Sequence, residues 1–203
     1  PAQALRPISE RLNVALVAAF ELWRDSSGAF DVTVGPLVNI WGFGPDQGLP
    51  WPPSEAAQVN AAASVGMQHI ELLPNKQIRK RLAAAYIDLS AIAKGQAVDE
   101  IAEIMSGMGC EHFLVDIGGE VRVKGLNSAG KLWRVGIEVP RAGQQGSVQR
   151  VLGVSGQSVA TSGDYRNFRV IDGLRVDHVL DPRSGIPADN NVLSVTVVHS
   201  SAM

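Results

Sequence analysis

Apolar residues at Leu12, Leu16, Phe20 and Trp23 recur at helical spacing, and Gly28 follows as a stop signal, so the first element reads as an amphipathic helix. The period then fades. Gly28–Pro45, GAFDVTVGPLVNIWGFGP, is rich in glycine, proline and aromatic residues and reads as an ordered loop with short strand or helix pieces. Leu49–Pro53 is a Pro/Trp connector. Ser54 caps a short helix to about Val65, which Gly66 ends. His69–Leu73 and Gln77–Leu82 read as strands turning at Pro74-Asn75, and Ala85–Leu89 as a third that runs into a loop, Ser90–Ala93. The next helix, about Lys94–Met108, places Ala97, Ile101, Met105 and Met108 on one face, with Gly109 after it.

Beyond this helix the pattern is nearly all strand: His112–Asp116, Glu120–Lys124, Leu132–Val139, Gln149–Val154 and Ser158–Thr161. Tyr165–Ile171 and Leu174–Val179 are joined by Asp172-Gly173, a strong hairpin signal. A turn over Asp181–Gly185 and a strand-like run over Leu193–His199 complete the pattern. The predicted class is α+β, with a large, mostly antiparallel sheet and about three helices. At 203 residues the chain can form one domain, the expectation adopted here for 1–203, or two small lobes sharing a core. It begins at Pro1 and stops just after a strand, so both ends are expected to be cut, with any targeting segment outside.

Composition narrows the function classes. The formal net charge is −2 and basic residues are scattered, so a nucleic-acid partner is not expected. Lys76, Arg79, Lys80 and Arg81 read as a solvated hairpin face. No apolar run reaches the ~18 residues of a membrane span. The single cysteine, Cys110, excludes an internal disulfide and a cysteine-rich metal site. GxxxxGK[ST], a strand-borne GxGxxG, HExxH and GxSxG are absent, and His69, His112, His178 and His199 lack metal-ligand spacing.

Four segments carry candidate chemistry. In Tyr86–Asp99 a strand delivers Asp88 and a helix begins near Lys94; free N–H groups, the helix dipole and the lysine charge suit a phosphate or pyrophosphate. Asp88 could hold a ribose hydroxyl, a ring N–H or a cation, or simply cap the turn. Asp116–Glu120, DIGGE, pairs glycines between strands, which permits close backbone approach or a plain turn. Ser158–Pro187 concentrates Thr161, Ser162, Asp164, Arg166, His178 and Asp181, with His178 usable as a base near neutral pH. In Gly28–Gly44, Phe30, Trp41 and Phe43 could wall a planar ring or belong to the core.

Taken together and in this order, GAFDVTVGPLVNIWGFGP, IDLSAIAKGQAVDEIA, LVDIGGEVRVKG, WRVGIEVP, TSGDYRNF and DHVLDPRSGIP resemble the blocks of the ApbE family, the FAD:protein FMN transferases. The resemblance implies Mg²⁺-dependent cleavage of FAD. FMN passes to a threonine hydroxyl of a target flavoprotein, and AMP leaves. It implies targets in membrane respiratory complexes, such as the sodium-pumping NADH:quinone reductase or the Rnf complex, and a periplasmic lipoprotein. Residue by residue, it implies FAD contacts at Ala29, Phe30, Asp31, Asp88, Lys94 and Leu180, a Mg²⁺ ligand in the carbonyl of Ala91, and a catalytic base in His178. Two other readings stand beside it: a Mg²⁺-dependent FAD pyrophosphatase giving free FMN and AMP, and a non-catalytic flavin-binding module. Gln96 departs from the family's aromatic residue after Lys-Gly. The family's Met-Gly-Thr block and its Ala-Asp-Ala-x-x-Thr-like metal block lie outside this chain. The 203 residues alone are therefore expected to bind Mg²⁺ poorly and to transfer little FMN.

Overall fold

The structure is a computed structural model; it describes residues 4–45, 50–141, 143–144, 146–164, 167–171, 174–188 and 192–203. In chain order the elements are β1 (Arg6–Pro7), α1 (Glu10–Asp25), α2 (Gly35–Ile40), α3 (Glu55–Ala62), β2 (Ile70–Leu73), β3 (Gln77–Lys80) and α4 (Ser90–Gly107). Then come β4 (Phe113–Ile117), β5 (Glu120–Lys124), β6 (Trp133–Glu138), β7 (Val148–Val154) and β8 (Ser158–Gly163). The last are β9 (Phe168–Ile171), β10 (Leu174–Asp177), β11 (Leu180–Asp181), β12 (Ile186–Pro187) and β13 (Ser194–His199). Among the described residues all pairings are antiparallel, and the α+β class holds. The chain divides into two compact units, Pro1–Ala91 with Asn167–Asp189, and Ile92–Arg166 with Asn190–Met203.

In the first unit, Ser9 caps α1 by accepting the Leu12 N–H at 3.2 Å, with Glu10 in the first turn and Arg24 in the last, each suited to the helix dipole. Leu16 is fully buried against Ile70, Ile78 and Ala85, over a sheet in the order β1-β3-β2. Burying one leucine in this way contributes about 1.5–3 kcal/mol. A second cluster joins Leu37 of α2 to Ala61 and Val65. α2 is one of the short helix pieces expected within Gly28–Pro45. Pro36 sits in its first turn, where a missing N–H costs nothing. Ala85–Leu89, expected as a strand, joins no sheet among the described residues; Asp88 N–H donates instead to the Val32 carbonyl at 2.7 Å. The basic hairpin is paired: Lys76 meets Glu10, while Arg79 and Arg81 share Glu71.

In the second unit, the sheet order is β13-β8-β5-β4. α4 packs through Val98 and Ala102 against Phe113, Val115 and Ala202. Of the expected face, Met105 packs on this cluster, whereas Ile101 and Met108 are exposed, and Ile92, Gly95, Val98 and Ala102 are the buried positions. Strands β6 and β7 form a separate ribbon, whose Trp133, Val135 and Leu152 cover Val121, Val123 and Val159.

Candidate functional site

At the end of α1, Ser26 Oγ accepts the Phe30 N–H at 3.0 Å, which folds Gly28–Asp31 back along the helix end. This leaves Ala29 exposed and Phe30 half-buried. Asp31 behaves differently. It is only 7 % exposed. Its Oδ1 accepts from the Thr33 N–H at 2.7 Å and the Thr33 hydroxyl at 2.5 Å; its Oδ2 accepts from the Met67 N–H at 3.2 Å. Thr33 Oγ1 in turn accepts the Gly66 N–H at 2.6 Å. The Asp31 carboxylate is thus committed to holding this loop against the turn after α3. What the loop can offer a ligand is Ala29, the Phe30 ring and main-chain groups.

Asp88 Oδ1 accepts the Ser90 N–H at 2.8 Å and so caps the start of α4. With that cap, Ser90–Ala93 forms the first helical turn instead of the expected loop. Ala91 and Lys94 consequently lie in the first and second turns. The free N–H groups of the helix end precede Lys94 rather than coincide with it. The Lys94 ammonium is 2.8 Å from Oε1 and 2.6 Å from Oε2 of Glu120. Glu120 follows the two-residue turn Gly118-Gly119, whose φ values of +62° and +100° call for glycine.

His178 follows β10. Its Nδ1 lies 3.1 Å from the Asn167 carbonyl oxygen. A carbonyl only accepts, so Nδ1 is the donor in this contact, and in the neutral ring Nε2 then keeps its lone pair. The ring stands edge-on to Phe43, with centroids 6.3 Å apart and planes at 63°. Arg169 on β9 fixes this neighbourhood. Its Nη2 donates to the Gly42 carbonyl at 2.7 Å, and its guanidinium stacks 5.4 Å from the Trp51 ring centroid. Leu180 is half-buried on the α2–α3 cluster. Trp41 is buried and donates through Nε1 to the Gly185 carbonyl at 3.0 Å, so it is a core residue. Arg183 doubly bonds Asp181, at 2.9 and 2.7 Å, and its side chain borders Gly28. Arg183 holds the Asp181 carboxyl at about 2, chiefly through the side-chain hydrogen bond.

The segment Ser158–Pro187, continuous in sequence, is divided in space. Ser158–Gly163 is a strand of the second unit, whereas Asn167–Pro187 belongs to the first. The Thr161 hydroxyl is 2.8 Å from that of its cross-strand partner Thr196. Tyr165, Arg166, Asp172 and Gly173 lie outside the described residues. Of the candidate residues, the first unit holds Ala29, Phe30, Asp31, Asp88, Ala91, His178 and Leu180; Lys94 belongs to the second.

The model of the ApbE family matches residues 2–203. The chain belongs to the ApbE family. It is similar to the FAD:protein FMN transferase of Salmonella typhimurium, 39 % identical over 204 residues, covering 97 % of this chain and 57 % of the relative. The Vibrio cholerae counterpart is 44 % identical over 178 residues, covering 88 % and 53 %. Among solved structures, the flavin transferase ApbE from Vibrio cholerae superposes with a TM-score of 0.88 at 40 % identity, over 98 % of this chain and 63 % of that one. The flavinyl transferase ApbE of Pseudomonas stutzeri, in its apo form, gives 0.87 at 37 % identity, over 100 % and 62 %. The chain thus spans little more than half the length of the curated relatives it matches.

Membership in the ApbE family brings Mg²⁺ into question. In α4 the carbonyl of Ala91 points along the axis toward the N–H of Gly95, four residues on, and keeps one lone pair free. Mg²⁺ requires near-octahedral oxygen coordination with one or two carboxylates. Among the described residues no group of three or more His, Cys, Asp or Glu can hold a metal ion. Among the described residues, Ala91 would thus offer a cation one carbonyl oxygen, with no cluster of three such side chains beside it. Arg169, Asn167 and Glu120 make contacts here that the sequence did not mark individually, although Glu120 closes DIGGE and Asn167 lies within TSGDYRNF.

Proposed function

We propose that this protein is a flavin transferase: it binds FAD and passes FMN to a threonine hydroxyl of a target flavoprotein, releasing AMP. The observation that carries the reading is the orientation of His178. With Nδ1–H held by the Asn167 carbonyl, Nε2 is the nitrogen that accepts a proton. In the proposed step the threonine Oγ forms a bond to the flavin-side phosphorus. The bond from that phosphorus to the bridging oxygen breaks, AMP leaves with the oxygen, and the threonine proton goes to His178 Nε2. Phosphoryl transfer asks mainly for positioning and charge neutralisation. Here Phe30 and Ala29 would meet the flavin nucleotide at the end of α1, Asp31 would hold their loop, and Leu180 would contact it through main-chain groups. Asp88 and Lys94 would serve the start of α4.

Mg²⁺ belongs to the proposal through the family resemblance, with the Ala91 carbonyl as one of its oxygens; when bound it supplies charge neutralisation at the pyrophosphate. The same resemblance supports a target in a membrane respiratory complex of the sodium-pumping NADH:quinone reductase or Rnf type, and a periplasmic, lipid-anchored protein.

The test is mass spectrometry of a target flavoprotein subunit incubated with the intact protein, FAD and Mg²⁺. The expected result is an added FMN mass on one threonine, lost on chelation. Free FMN and AMP without acceptor modification would instead favour the pyrophosphatase. FAD binding that survives chelation and His178→Ala, with no turnover, would favour a flavin-binding module.

A further inference from the structure

The Glu120 side chain is only 17 % exposed. Its Oε2 is shielded from solvent, and the Lys94 ammonium stands 2.6 Å from it. A carboxylate taken this far out of water needs a counter-charge, and Lys94 supplies it. The backbone enforces the meeting. Glu120 leaves the Gly118-Gly119 turn as β5 begins, and a Cβ on Gly118 would stand 3.4 Å from Lys94 Cδ, so the turn runs alongside the lysine stem.

We propose that Glu120 is a latch on Lys94, a positioning residue that holds the ammonium in the free protein and weakens its grip on a phosphate ligand. The inference rests on the reading above that Lys94 meets the nucleotide. An ammonium has three N–H donors. Lys94 can turn one toward a phosphate oxygen while keeping Glu120, or leave Glu120 altogether. Either way a partly shielded negative charge stays beside the incoming anion and opposes it. The latch thereby keeps nucleotide binding loose enough for a monophosphate product to leave.

The experiment compares wild type, E120Q, E120D and K94Q in the intact protein. Flavin fluorescence titration gives the Kd for FAD, competition gives that for AMP, and mass-mapped acetylation gives the reaction rate of Lys94 without ligand. The latch predicts that E120Q tightens FAD and AMP about five- to tenfold and speeds Lys94 acetylation severalfold. E120D keeps the charge and stays near wild type, while K94Q weakens both ligands. A merely structural glutamate would weaken binding in E120Q and E120D alike. Should FAD bind wild type, K94Q weaken it and E120Q fail to tighten it, the latch is wrong while the transferase reading stands. Should K94Q leave FAD binding untouched, the assignment of Lys94 fails and takes the latch with it.

Discussion

Asp99 on α4 and Ser201 beyond β13 are 102 residues apart in sequence, yet Ser201 Oγ donates to Asp99 Oδ2 at 2.6 Å. The same carboxylate receives the main-chain N–H groups of Ala202 and Met203 and the Arg122 guanidinium at 2.8 Å. One turn earlier on the helix, Gly95 leaves the space through which Ala202 and Met203 pass; a Cβ there would overlap the Ala202 carbonyl. Asp99 and Gly95 together clamp Ser201–Met203 to α4.

Gly95→Ala should destabilise the protein by about 1–3 kcal/mol, because overpacking against main chain outweighs the ~1 kcal/mol gain in helix propensity. Asp99→Asn, which turns an amide toward several donors, should cost about 1–3 kcal/mol. Urea unfolding midpoints measure both. A neutral or stabilising Gly95→Ala would show that the clamp is not tight.

Thr33 has no solvent exposure, and its hydroxyl both donates to Asp31 and accepts from Gly66. Thr33→Val keeps the shape and removes both bonds. The expected loss is about 2–4 kcal/mol, since two buried polar groups lose a partner. If FAD affinity falls at a temperature where the variant is still folded, the loop over Ala29 and Phe30 depends on this anchor.

Acid should loosen the turn after β11. The Asp181 carboxyl sits at about 2, below its ordinary 3.8, held there first by the Arg183 hydrogen bond. A lowered folded-state value means that the stabilisation is complete above about pH 4 and is lost as the pH falls toward 2. Arg183→Gln removes the cause. The difference in stability between wild type and variant should therefore shrink over that window, measured as urea midpoints at each pH. A constant difference would mean that the pair contributes nothing there.

His178→Ala should lower FMN transfer by about 10²–10⁴-fold and leave the Kd for FAD within about twofold, since a base acts on the acceptor hydroxyl and not on flavin binding. Single-turnover kinetics on the target protein separate the two. An equal loss in binding would make His178 a wall of the pocket instead.

The α1 spacing, the Ser54 cap and the DIGGE turn were legible because each is a local signal: a period, a capping oxygen, glycines at positive φ. α4 was legible in kind and at Met105, but not in its start or in the rest of its face. Asp88 capping Ser90 adds a turn, and Gly95, Val98 and Ala102 are buried where Ile101 and Met108 were expected. Among candidate site residues, sequence alone marked Asp88, Lys94 and His178 as chemistry-bearing. It could not show that Asp31 spends its carboxylate inside the fold, that Arg169 braces the His178 region, or that Glu120 faces Lys94. Those facts depend on contacts between residues far apart in the chain, which leave no periodic trace.

The group that directs the His178 proton is a carbonyl of the main chain. Every amino acid supplies one. Replacement of Asn167 by another residue that keeps the hairpin path would therefore leave the imidazole tautomer as it is, whereas inserting or deleting a residue between Asn167 and His178 would scramble it. The polarity of the imidazole is inherited through hairpin length rather than through side-chain identity, so its register tolerates drift in composition and resists drift in spacing.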